Sequence, residues 1–306
     1  MSVLQQLQAM TDIVADTGNI DDIKRLNPLD ATTNPSLVLK AIQSGSYDQT
    51  IASLCKQFSD VSDITNALIV KIGSSIVNTI SGLVSTEVDA RYSYDTQKTI
   101  EHALKIIDLY KQADIDSNRI LIKIAGTWEG IQAAKALETQ GIHCNVTLIF
   151  CEEQAFASAD ANATLISPFV GRITDWHQAK GLTIKNAEDD PGVISVKRIY
   201  ENFKAQGIQT IIMGASFRNS GQIIQLAGCD KLTISPALLD ELADTEKTIE
   251  RKLNAPIKQT RQAELTQAQF LEAIDKNPMA KEKLTQGIEG FINDQIKLET
   301  LIQAFK

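Results

Sequence analysis

The chain has 306 residues, 43% of them hydrophobic, and a formal net charge of −8. That is ample for a sizeable core. An acidic chain lacks the basic footprint of a nucleic-acid binder, and any anionic ligand would have to be held by local arginines against the overall field.

Residues 1–10 carry no basic charge and no long apolar run. No signal peptide and no membrane span is therefore expected, and a cytoplasmic location is. The four cysteines, Cys55, Cys144, Cys151 and Cys229, form no Cys-x-x-Cys pair and read as reduced thiols. The three histidines, His102, His143 and His177, are scattered, so no metal is expected.

Strand-like and helix-like segments alternate without an interrupting linker. Residues 12–17 read as a strand and 20–26 as a helix. The next strand, 29–34, ends at Pro35, which disfavours helical geometry at Asn34 and can open the following helix. Residues 36–42, 47–58 and 62–80 look helical, an extended excursion between strands. Residues 82–88 give a third strand, 96–112 a helix, and 119–125 a fourth strand. A helix over 127–139 is stopped by Gly141. Strand 142–150, helix 152–160 and strand 163–169 follow, then helices 175–180 and 192–206, the second stopped by Gly207. Strand 209–214, helix 219–227 and strand 231–234 complete the pattern.

About eight strands, most followed by a helix, predict an α/β fold: a (β/α)8 TIM barrel with extra helices. A doubly wound open sheet is the competing architecture, but no Gly-x-Gly-x-x-Gly or Walker motif speaks for it. The rest of the chain reads as helical, with C-terminal helices over about 260–306 and a capping-box pattern at Thr266-Gln-Ala-Gln269. Leu284, Ile288, Phe291, Leu298, Ile302 and Phe305 lie at helical spacing and must pack on the barrel wall, its mouth or another subunit. One domain, 1–306, is expected.

The fourth strand carries the puzzle. Ile120, Ile122 and Ile124 point one way, and Leu121, Lys123 and Ala125 the other. A desolvated ammonium is costly, and a buried lysine commonly escapes the cost as a neutral amine. A neutral amine on a rigid strand is what Schiff-base chemistry needs. The alternative is a strand-end lysine whose head reaches water.

Barrel active sites lie at the C-terminal ends of the strands. In phase with an inward face there, the sequence places Asp16 on strand one, and Asn34 with Thr32 and Asp30 on strand two. Ser85 and Glu87 follow on strand three, Lys123 on strand four, Asn145 and Thr147 on strand five, and Ser167 and Phe169 on strand six. Strand seven runs into Gly214-Ala-Ser-Phe-Arg218. Each has an ordinary reading as cap, turn or satisfied core polar group, and Arg172 and Arg218 as solvated loop arginines; Trp128 reads as packing. Their coincidence at successive strand ends points to amine catalysis. Lys123 would attack a ketone, Glu87 would move the protons that imine formation requires, and Asp16 would serve a substrate hydroxyl during carbon–carbon cleavage. Arg172, Ser216 and Arg218 suit a phosphate.

These residues belong to longer runs: Asp30-Ala-Thr-Thr-Asn-Pro-Ser36, Ile122-Lys-Ile-Ala-Gly-Thr-Trp-Glu-Gly130, Asn145-Val-Thr-Leu-Ile-Phe150, Ile166-Ser-Pro-Phe-Val-Gly-Arg172 and Gly214-Ala-Ser-Phe-Arg218. With them the chain resembles the transaldolase family over nearly its full length. The resemblance implies a cofactor-free Schiff-base enzyme of the pentose phosphate pathway, a homodimer acting on sugar phosphates, with a final helix reaching over the barrel. It implies that Lys123 bonds to fructose 6-phosphate, that Asp16 takes the C4 hydroxyl proton, and that Glu87 and Thr147 hold a proton-shuttling water. It assigns Asn34, Asn145 and Ser167 to the dihydroxyacetone hydroxyls, and Arg172, Ser216 and Arg218 to the phosphate. The nearest rival, fructose 6-phosphate aldolase of the same superfamily, has Gln in place of Glu87 and Tyr in place of Phe169, as the resemblance has it. A non-catalytic sugar-phosphate-binding barrel and a metal-dependent aldolase also compete with this reading.

Overall fold

The computed structural model describes residues 1–254 and 256–306. Eight parallel strands close into a barrel: β1 (Asp12–Asp16), β2 (Asp30–Thr32), β3 (Val84–Glu87), β4 (Ile120–Ala125), β5 (Cys144–Ile149), β6 (Leu165–Pro168), β7 (Ile211–Gly214) and β8 (Lys231–Ile234). Each pairs with its successor, and β8 closes on β1. The (β/α)8 barrel expected from the alternation is the fold that forms. Register aligns Glu87 with Lys123, and Lys123 with Asn145.

Two-residue periodicity sorts the side chains. Ile120, Ile122 and Ile124 join the large core between strands and helices. Leu121 instead meets Val14, Leu165 and Met213 in a separate small cluster inside the barrel. Below that apolar layer, at the N-terminal end, Lys231 Nζ lies 2.8 Å from Asp30 Oδ2 and 3.0 Å from Asp12 Oδ2. Asp30 also accepts the Leu83 amide at 2.7 Å. A Cβ on Gly82 would sit 1.9 Å from Asp30 Oδ1, so only glycine fits there. Asp30 is therefore in phase with Thr32 but serves the floor of the barrel, not the site at its mouth.

Several expected boundaries change. β2 is three residues long, shorter than 29–34. The helix expected over 175–180 runs from Val170 to Ala179 and brings Arg172 into its first turn. Pro168 and Gly171 look like breakers in sequence. However, the first-turn amides of Val170 and Gly171 donate to Ala215 O and Ser216 O at 2.9 and 2.8 Å, a tertiary arrangement that sequence does not display. The end of the chain is not all helical. After the helix Pro236–Asp244, residues 245–254 and 256–266 form neither helix nor strand. Their amides are used across the fold instead, Lys252 and Leu253 donating to Ala227 O and Gln259 to Ala205 O. Helices resume at Gln267–Lys276, opened by the expected capping box, and Pro278–Gln303. An N-terminal helix, Val3–Gln8, was not anticipated.

The C-terminal helix Pro278–Gln303 buries Leu284, Ile288, Phe291, Leu298 and Ile302. Phe305 lies beyond the helix and is exposed, so it does not continue the stripe. The helix packs on Val61–Val77 and on Pro35–Gln43 and Val170–Ala179, the helices that follow β2 and β6, and so lies over the barrel mouth. A Cβ on Gly287 would come within 2.7 Å of Leu148 Cδ2, which is why the helix can settle directly on the end of β5.

Removing one partner of a buried ion pair leaves a charge uncompensated, at a cost of about 3–5 kcal/mol. Lys231 retains Asp12 as a second partner, so Asp30→Ala is expected at the lower end, about 3 kcal/mol. A chemical denaturation curve with an unshifted midpoint would contradict this role for the pair.

Candidate active site

A cavity of about 170 Å³ opens above the apolar layer, at the C-terminal ends of the strands. Asp16, Asn34, Lys123, Thr147, Ser167, Phe169, Arg172 and Ser216 all line it. Its floor and wall are completed by Thr32, Met213, Ala215 and Thr233, its near side by Ser36 and Leu37, and its roof by Phe291 of the C-terminal helix. Phe291 was visible in sequence only as part of an apolar stripe. Thr233 had a signal, its phase with Lys231 on β8, and Thr32 shares the phase of Asn34.

Lys123 is 4% exposed, so its head does not reach water. Nζ lies 3.3 Å from Glu87 Oε2 and donates to Thr33 O at 3.3 Å, with the Phe291 ring centroid 5.9 Å away. Glu87 is not on the wall of the main cavity. It stands behind Lys123 and faces a second, smaller space. Burial pushes the Glu87 carboxyl above its ordinary value, against the opposing charges of Lys123 and Arg172. Asp16 is likewise raised by burial, countered by Lys123, the Thr32 hydroxyl and Arg172. Thr32 Oγ1 donates to Asp16 Oδ1 at 3.0 Å and orients it. Two carboxyls raised by burial thus bear on one buried amine, the kind of cluster that marks a functional site.

Asn145 is fully buried: it donates to Ser85 Oγ at 3.0 Å and accepts from Ser167 Oγ at 2.6 Å. It does not line the cavity itself; Ser167 does. Thr147 Oγ1 and Glu87 Oε2 are buried without a hydrogen-bond partner. A buried polar group of this kind normally has a partner.

At the rim, Arg172 stacks between two rings, 5.1 Å from the Phe169 centroid and 5.6 Å from that of Phe291. Burial, and then the charge of Arg218, hold its guanidinium below the ordinary arginine value. An anion beside both arginines would relieve that repulsion. Arg218 is on the surface, paired with Asp175 at 2.7 Å, with Nη1 3.3 Å from Ser216 Oγ. Ser216 itself adopts a left-handed φ of 62°, a cost for a non-glycine residue that turns the loop towards Arg172. Its carbonyl is held by the Gly171 amide.

Among the described residues, no group of three or more His, Cys, Asp or Glu is placed to hold a metal ion. None of their helices is long and apolar enough to cross a membrane.

A family model described as transaldolase/fructose-6-phosphate aldolase matches residues 13–302. A transaldolase of Pseudoalteromonas atlantica is 51% identical over 312 aligned positions, covering 99% of this chain and 98% of that one. A transaldolase of Shewanella denitrificans is 51% identical with the same coverage. One from Vibrio parahaemolyticus is 50% identical over 310 positions, covering 98% of each chain.

The raised Asp16 carboxyl gives a signed stability test. A carboxyl whose folded value lies above its unfolded one favours folding at low pH, and that contribution is lost as pH rises through the folded value. Asn at this position does not titrate. The melting temperature of Asp16→Asn minus that of the wild type is therefore expected to grow between pH 4 and pH 8. A difference that shrinks over that range would show that Asp16 is not held up by burial.

Proposed function

Belonging to the transaldolase/fructose-6-phosphate aldolase family, the chain is a transaldolase, and we propose that it works through a Schiff base on Lys123. The observation that carries this reading is Lys123 itself, an amine buried at the base of the cavity, 3.3 Å from one carboxylate and facing a second. The Glu87 carboxylate takes a proton from Nζ, 3.3 Å away, and Nζ attacks the C2 carbonyl of fructose 6-phosphate, a second proton passing from the nitrogen to the carbonyl oxygen to give the carbinolamine. Glu87 then returns its proton to the hydroxyl, which leaves as water, directly or through a water bridging Glu87 Oε2 and Thr147 Oγ1, both without a hydrogen-bond partner.

Asp16 takes the proton of the C4 hydroxyl. The C3–C4 bond breaks, its electron pair moves into the iminium, and glyceraldehyde 3-phosphate leaves. The three-carbon unit stays on Lys123 as an enamine, held by Asn34 and Ser167, with Asn145 fixing Ser167. It adds to erythrose 4-phosphate, Asp16 returning the proton to the new hydroxyl. Water then hydrolyses the iminium and releases sedoheptulose 7-phosphate. Arg172, Ser216 and Arg218 bind the phosphate, Arg218 leaving Asp175 to do so. The same reading places the enzyme in the pentose phosphate pathway as a cytoplasmic homodimer, on the family resemblance alone.

Transfer requires that the enamine not be protonated before the acceptor arrives. The two rings at the roof, Phe169 and Phe291, carry no hydroxyl, which favours transfer over release of free dihydroxyacetone.

Borohydride reduction in the presence of fructose 6-phosphate is expected to leave a covalent adduct on the peptide containing Lys123, and none on Lys123→Met. An unmodified Lys123 peptide in the wild type would refute the mechanism and leave a binding protein. Glu87→Gln is expected to slow adduct formation ~10²–10⁴-fold while phosphate binding is retained. Phe169→Tyr should raise the yield of free dihydroxyacetone; an unchanged yield would remove this role from Phe169.

A further inference from the structure

Behind Glu87 lies a second cavity of about 10 Å³, room for one water molecule. Glu87, Asn66 and His102 line it, with Gln295 of the C-terminal helix on its wall. Asn66 belongs to the helix Val61–Val77 and is 3% exposed. Nothing in its helical pattern singles it out.

His102 fixes how Asn66 is turned. The Asp89 backbone N–H donates to His102 Nδ1 at 3.2 Å, so the ring proton is on Nε2. Nε2 donates to Asn66 Oδ1 at 3.0 Å. Burial holds the imidazole down at about 4, so this neutral tautomer persists through the physiological range. Asn66 Nδ2 is then the free end of the amide, a buried donor with no partner. Glu87 Oε2 is a buried acceptor with no hydrogen-bond partner, and both residues face the same space. An unpaired buried polar group costs about 1–3 kcal/mol. A single water, with both donor and acceptor capacity, satisfies the two together.

We propose that Asn66 is a positioning residue for Glu87, donating through one water in this rear cavity to steady the carboxylate as it exchanges protons during imine formation. The inference rests on Glu87 serving Lys123 as above. Other charges facing Glu87 are already spent: Lys123 and Arg172 favour its charged form, and Asp16 opposes it. Asp89, on the far wall, is committed to Arg91. Asn66 Nδ2 is a fully buried donor on that side with no partner of its own.

The test is the rate of borohydride-trappable adduct formation with fructose 6-phosphate, followed against pH for the wild type, Asn66→Leu and Asn66→Asp. Without the amide donor, Glu87 holds its proton more tightly. The limb of the profile that reports Glu87 is expected to move up by about one unit, slowing trapping about tenfold on its acid side. Rates should converge at high pH, and KM should stay within about twofold, since one unit on Glu87 leaves substrate contacts in place. A merely structural role would lower rates equally at all pH values. Asn66→Asp, which swaps the donor for an acceptor, should shift the limb in the same direction. Independently of either variant, a high-resolution crystal structure of the wild type should place a water within hydrogen-bond distance of both Asn66 Nδ2 and Glu87. Absence of that water, or profiles superimposable with the wild type, overturns the role of Asn66. Failure to trap any adduct on wild-type Lys123 overturns the Schiff-base mechanism instead.

Discussion

The fold is arranged around one difficult burial, that of the Lys123 amine beside the Glu87 carboxylate. The pair sits 3.3 Å apart with almost no access to solvent. Buried pairs of this kind commonly fail to recover the cost of desolvation. Here the geometry is also incomplete, since Glu87 Oε2 has no hydrogen bond. A protein shaped for stability alone would satisfy that oxygen or replace the pair with apolar side chains. In the proposed mechanism, retaining it keeps a nucleophile and a proton carrier in contact, in a volume from which bulk water is excluded.

The barrel interior is layered to make this tolerable. Lys231, Asp30 and Asp12 neutralise one another at the N-terminal end. Val14, Leu121, Leu165 and Met213 seal that end from the mouth. Above the seal come the hydroxyls, amides and carboxyls of the site. The roof comes from the other end of the chain. Phe291 closes over Lys123, and the helix that carries it is tied down by Ser36 donating to Asp294 and by Arg91 bridging Asp89 and Glu299 at 2.5 Å each. The same Asp89 supplies the amide that sets the His102 tautomer. Roof, rear cavity and the Glu87 carboxylate are thus mechanically connected.

Charge is handled locally. The chain is acidic overall, at −8, yet its cavity rim concentrates Arg172 and Arg218, close enough for Arg172 to feel the charge of Arg218. Two aromatic faces stabilise Arg172 without neutralising it. In the proposed reading an incoming phosphate meets a guanidinium in a water-poor setting, which is a stronger anchor than a solvated arginine.

Alternation along single strands was enough to decide the barrel and the inward phase of Asp16, Glu87, Lys123, Thr147 and Ser167, because side-chain direction in a strand is local. It was also enough to mark Lys123 as anomalous among isoleucines. It did not separate the two ends of the lumen, so Asp30 and Asn34 looked alike, although one pairs with Lys231 and the other lines the cavity. Nor did it extend the helix back to Val170, whose first amides are satisfied by a loop more than forty residues away in the chain. The roof from Phe291 and the rear cavity beside Asn66 were decided only by tertiary structure. The roof arises where a helix meets strands distant in sequence and the rear cavity where a helix packs against the strand that follows it, and periodicity records which face of a helix is apolar but not what that face will meet.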